Sequence, residues 1–252
     1  MLDGARDIEV GGRYAYIVAN AGLVVVDMDT PLKPLLVTTV PLNNGHDVFQ
    51  QFRFLFVTDD DGLKTIDITD VRNPRLVKDN TISLSSANRV FVARTFAYVA
   101  AGREGLVIVD ASDPTQLKEY QRFNDGVKDA RDVVVATTNA SLFAYVADGN
   151  AGLKVVQLTS PESQPRYYGF SPDPMPELIA HYPTKKPVIA LSRGLERDRA
   201  VDESGGQVAV FSRVGSGPLS ESDMHRMYLD KDGKPWFVSD EVPPEAESGE
   251  PE

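Results

Sequence analysis

One hexapeptide keeps returning along this chain, and its return limits the fold more than any other feature. Gly22-Leu-Val-Val-Val-Asp27 reappears as Gly62-Leu-Lys-Thr-Ile-Asp67, Gly105-Leu-Val-Ile-Val-Asp110 and Gly152-Leu-Lys-Val-Val-Gln157, with a degraded fifth copy at Gly206-Gln-Val-Ala-Val-Phe211. Successive glycines stand 40, 43, 47 and 54 residues apart. A second apolar run precedes each copy: Tyr14–Val18, Phe54–Thr58, Phe96–Ala100, Phe143–Ala147 and Val188–Leu191. Before these lies a third: Asp7–Val10, Asp47–Gln50, Arg89–Val92, Asp132–Ala136 and Glu177–Ala180. A fourth follows the hexapeptide at Leu35–Pro41, Leu76–Ile82 and Lys118–Phe123.

The runs are too short for helices and rich in β-branched residues, which suit a pleated surface. Asp29-Thr-Pro31, Asn73-Pro74, Ser112-Asp-Pro114 and Ser160-Pro161 fall at one place in each copy, where proline and a local side-chain acceptor turn the chain. Four short strands per 40 to 50 residues predict an all-β propeller of about five four-stranded blades, either complete or part of a larger one. The copies run over about residues 5–42, 45–84, 87–124, 130–171 and 176–240, the last irregular with a charged insertion at 192–205; an acidic tail, 243–252, follows.

Gly105-Leu-Val-Ile-Val-Asp110 with Ser112-Asp-Pro114, preceded by Tyr98-Val-Ala-Ala101, resembles the LVIVD repeat of bacterial and archaeal cell-surface proteins. The likeness is strong over about residues 5–160 and weak over 176–212. It implies a propeller and an exported, extracellular or cell-surface location (periplasmic is the other compartment it allows), and it carries no catalytic residues to this chain.

Charge and composition exclude several functions. The net charge of −11 opposes nucleic acid and anionic membrane surfaces. No apolar run is long enough to span a bilayer as a helix. Without cysteine there is no disulfide, thiolate metal site or cysteine nucleophile, and no haem attached through cysteines. His46, His181 and His225 lack metal-ligand spacing.

Aligning the innermost strands predicts a charged ring at the central channel, made of Asp7, Asp47, Arg89, Asp132 and Glu177. It would serve either as a cation or small-ligand site with acid–base capacity, or as an ion-pair network that closes the channel. Asp59, Asp60 and Asp61 are the weak candidates for calcium, and no other cofactor is expected. Loops of uneven length and charge gather on one face. There the insertion, with Arg193, Arg197, Asp198 and Arg199, is expected to meet another protein or a larger assembly. The leading expectation is a non-catalytic interaction or scaffold propeller. The alternatives are an enzyme or metal-binding propeller using the ring, and an accessory part of a surface multihaem redox complex.

Overall fold

The computed structural model describes residues 2–30, 32–138, 141–165, 171–192, 213–214, 217–218 and 231–232. The chain divides into two units, Met1–Arg193 and Gly194–Glu252. In the first, sixteen strands form four antiparallel sheets of four, each in sequential order. They are β1–β4 (Asp7–Gly11, Tyr14–Ala19, Gly22–Asp27, Leu35–Val40), β5–β8 (Asp47–Gln51, Phe54–Asp59, Gly62–Asp67, Arg75–Ser83), β9–β12 (Arg89–Ala93, Phe96–Ala100, Leu106–Asp110, Lys118–Phe123) and β13–β16 (Asp132–Thr138, Ser141–Ala147, Leu153–Thr159, Glu177–Tyr182). The innermost strands stand side by side, β1 next to β5, β5 next to β9 and β9 next to β13. These are propeller blades, and no helix occurs among the described residues. Among the described residues the sheets do not close into a ring. In the second unit, β17 (Arg213–Val214) pairs with β18 (Gly217–Pro218).

The repeated hexapeptide fixes both ends of the third strand in the first three blades, and its start in the fourth. Its glycine takes φ of +111°, +132°, +83° and +83° at positions 22, 62, 105 and 152. A Cβ at these glycines would lie 2.0–2.3 Å from the carbonyl oxygens of Val40, Ile82, Phe123 and Tyr182, each at or one residue before the end of an outer strand. Only glycine allows that approach. At the other end, the motif aspartate accepts the backbone N–H two residues on: Asp27 from Asp29 (2.9 Å), Asp67 from Thr69 (2.8 Å) and Asp110 from Ser112 (2.9 Å). These Asx turns start the bend toward the outer strand.

Between these ends the strands bury their apolar side chains. Tyr98, Leu106, Ile108, Phe56 and Leu158 belong to one core running through the second, third and fourth blades, while Tyr16, Leu23 and Val25 pack with Leu55, Val57 and Ile66 between the first two.

The fourth blade departs from the expected register. Its outer strand is Glu177–Tyr182, with Glu177 opposite Gln157, so these residues are not the innermost strand of a fifth copy. Gln157 replaces the motif aspartate, and the connection from β15 to β16 is about ten residues longer than in the other blades. Val188–Leu191 is likewise no second strand; Val188 makes an isolated bridge to Gly149, as Ala130 does to Gly102 one blade earlier. The insertion at 192–205, apart from Ser192, and the acidic tail lie outside the described residues.

Candidate functional site

The starts of the inner strands bring Asp7, Asp47, Arg89 and Asp132 to one cavity of about 290 Å3, together with Glu9, Phe91 and Leu191. Arg89 Nη1 lies 2.9 Å from Asp7 Oδ1 and also donates to Asp47 Oδ1, so one guanidinium nitrogen joins three blades. The other carboxylate oxygens are also engaged. Asp7 Oδ2 accepts the Val48 amide (3.2 Å) and Asp47 Oδ2 the Val90 amide (2.7 Å). Each aspartate thus takes the amide that follows the first residue of the next inner strand.

At Asp132 the same rule identifies the fifth ring position. Asp132 Oδ2 accepts the Leu191 amide (2.7 Å), while its Oδ1 takes Val133 (2.7 Å). Leu191 therefore stands where Val48 and Val90 stand in their blades, and Ala190 takes the place expected for Glu177. Glu177 is an exposed residue of the outer edge strand. Its carboxylate followed by Leu-Ile-Ala imitates an inner-strand start, which is why sequence pattern misplaces it.

Electrostatics in the cluster are dominated by burial. Asp47 is 5% exposed, and burial together with the neighbouring Asp7 charge pushes its carboxyl up to about 8, against the pull of Arg89 and the Val90 amide. Burial also raises Asp132, opposed by its two amide bonds. For Arg89 burial works the other way, but the carboxylates of Asp47 and Asp7 outweigh it and hold the guanidinium firmly charged.

The Asp59–Asp61 turn does not converge on a metal position. Lys64 Nζ lies 2.6 Å from Asp59 Oδ2 and 2.5 Å from Asp61 Oδ2, so an ammonium ion bridges two of the three weak calcium candidates. Asp60 turns away to Asn44 and to His46 Nε2 (2.9 Å). His46 Nδ1 is 2.7 Å from the Ala87 carbonyl, so this imidazole links the second blade to the entry of the third. Among the described residues no group of three His, Cys, Asp or Glu side chains is placed to hold a metal ion. Asp148 and Lys154 repeat the Asp59–Lys64 arrangement in the fourth blade at 3.9 Å, and the first and third blades carry Ala19 with Val24 and Ala101 with Val107 at the same places. The partner-face residues Arg193, Arg197, Asp198 and Arg199 lie outside the described residues.

Entry loops and second turns do share one face. Asn20 donates to Asp3 O (3.1 Å), Ser85 N to Glu104 (2.7 Å), and the Lys128 and Asp129 amides to Asp148 (2.8 and 2.6 Å). Sequence reasoning missed Asn80, which is buried where β8 bulges. Its amide donates to Thr65 Oγ1 (2.7 Å) and the Pro114 carbonyl (2.9 Å) and accepts from the Leu117 amide (2.6 Å). The outer strand here has nine residues against six in the first and third blades, a difference the sequence runs do not show.

Solved structures resemble the fold, among them the following two. A functionally unknown protein from Desulfotomaculum acetoxidans gives a TM-score of 0.57 at 12% identity, covering 77% of this chain and 61% of its own. The computationally designed Ika8 protein gives 0.51 at 11% identity, covering 75% of this chain and 52% of its own. The chain thus spans between half and two thirds of the length of these structures. No curated protein matches it. Residues 4–41, 85–125 and 128–168 match the LVIVD repeat, and the second blade, between the matched segments, has the same four-strand plan. These segments and the four sheets identify the chain as one that carries LVIVD repeats on a β-propeller-like fold.

Proposed function

We propose that this chain is a non-catalytic interaction module of an exported or cell-surface protein, working through the face that carries its entry loops and second turns. The observation behind this reading is the commitment of the axial groups. The side chains best suited to acid–base or cation chemistry, Asp7, Asp47, Arg89 and Asp132, are spent on holding one blade to the next. LVIVD repeats occur in cell-surface proteins, which supports the location. A rigid strand framework presents the uneven loops, and Asn43, Asp61, Arg103 and Asp125 are exposed on them.

The test is cross-linking on intact source cells carrying a tagged chain, using a reagent that does not cross membranes. A discrete protein adduct is expected, and it should weaken when Arg103→Glu and Asp125→Lys are combined. An adduct obtained only after lysis would refute the location. Loss of the adduct on Asp113→Ala, in an Asp–Pro turn, with Arg103→Glu/Asp125→Lys inert, would refute the face.

A further inference from the structure

The junction at Asp7, Asp47 and Arg89 carries an excess of one negative charge at the place where three blades meet. Both carboxylates reach the same guanidinium nitrogen, so the single cation neutralises one of them and leaves the other short. Among the described residues, the surrounding elements do not supply the missing charge. From β1 the cluster is faced by Glu9 as well as Asp7, and from β13 by Asp132, all acidic. On β6, Asp59 follows Thr58, the residue opposite Asp47, but it is acidic too and is committed to Lys64, and β2 contributes only the phenols Tyr14 and Tyr16. Arg6 donates to the Gly45 carbonyl at 2.6 Å, and His46 is held by Asp60 and Ala87. Two carboxylates crowded round one cation favour retention of a proton.

We propose that Asp7, Asp47 and Arg89 form a proton-operated clasp: one proton kept by the carboxylate pair draws the first three blades together, and its loss on moving to alkaline pH slackens them. The position of Asp47 makes the effect local. It is the most buried of the ring acids, it receives the Val90 amide of the next blade, and the Val48 amide beside it on β5 is received by Asp7 of the blade before. Removing the proton sets the Asp7 and Asp47 charges against each other across the two blade junctions that these hydrogen bonds span. The sign follows from linkage. A carboxyl whose affinity for protons is higher in the folded chain gives stability that is complete below its ordinary range near pH 4 and lost as pH rises toward about 8. Histidine is the other side-chain type in this chain whose ordinary range falls within pH 6–9, so a histidine variant is the control.

The experiment follows hydrogen exchange at the Val48 and Val90 amides and the urea midpoint from pH 6 to 9, after correction for intrinsic exchange. In the parent chain the midpoint should fall with rising pH, and exchange at those two amides should accelerate at least tenfold beyond the intrinsic change. Asp47→Asn should abolish both trends and match or exceed parent stability at pH 9. It should also remove an infrared band of a protonated carboxyl that the parent shows at pH 6. His46→Gln is the control and should keep the trends. A pH-independent parent, or an Asp47→Asn chain weaker than the parent at every pH, would overturn the clasp. So would transfer of the pH dependence to His46.

Discussion

Asn80 offers the sharpest test of how neighbouring blades are joined away from the axis. Between Leu76 and Thr81, β8 leaves the register of β7, and Asp79 takes φ of +54°. That bulge turns the Asn80 amide inward, where it makes three hydrogen bonds reaching Thr65 in its own blade and Pro114 and Leu117 in the next. Asn80→Ala removes all three. The Pro114 carbonyl keeps the Thr65 hydroxyl at 2.7 Å, but the Leu117 amide loses its acceptor. At about 1 kcal/mol per bond, with a further ~1 kcal/mol for the orphaned amide, the loss should be about 3–4 kcal/mol. Urea unfolding monitored by circular dichroism should show a lower midpoint at unchanged slope. Thr65→Val should cost about 1–1.5 kcal/mol, and the double variant should fall short of the sum by at least ~0.5 kcal/mol, because both residues serve one carbonyl. A loss below ~1 kcal/mol for Asn80→Ala, or strict additivity with Thr65→Val, would refute this account of the junction.

Three further outcomes follow from the same geometry. Gly105→Ala should cost roughly 2 kcal/mol or more in urea unfolding, since its Cβ would meet the Phe123 carbonyl oxygen at 2.3 Å in a backbone conformation of positive φ. Lys64→Met should destabilise by about 3–5 kcal/mol by stranding the buried Asp59, whereas Asp59→Ala with Lys64→Val, the pair found in the first blade, should recover most of that loss. Leu106→Ala, at a fully buried position, should cost about 2–5 kcal/mol with the β-rich circular dichroism spectrum retained.

The first three blades could be read from the sequence because each signal there has one physical cause acting at one place. The glycine must approach a carbonyl, the aspartate must cap its turn, and the connection between the third and fourth strands has the same length three times over. The fourth blade breaks two of these conditions together. Gln157 cannot form the Asx turn, and a longer connection displaces the outer strand to Glu177, whose pattern then passes for an inner strand. The glycine condition still held and would have located that strand, since Gly152 requires a carbonyl opposite it and meets that of Tyr182. Axial convergence of Asp7, Asp47, Arg89 and Asp132 follows from strand alignment alone. Their individual bonds do not, because they depend on how far each blade is rotated against the next. Lys64 was hidden for a different reason. It lies beyond the turn from Asp59 in sequence but directly beside it in space, so a run of acids looked like an open cation site.

The axial aspartates also bear on how such a chain is made. Asp7 accepts an amide some forty residues downstream, Asp47 does the same from the third blade, and Asp132 waits for Leu191. Acceptors precede donors in every case, and synthesis runs in that direction too. A blade leaving the ribosome therefore finds the acceptor for its first inner-strand amide already in place on the blade before it. Arg89 is the exception, a donor where an acceptor would be; the Val133 amide turns instead to Asp132, within its own blade. Assembly of the fourth blade thus begins without that axial guide and relies on the apolar core it shares with the third.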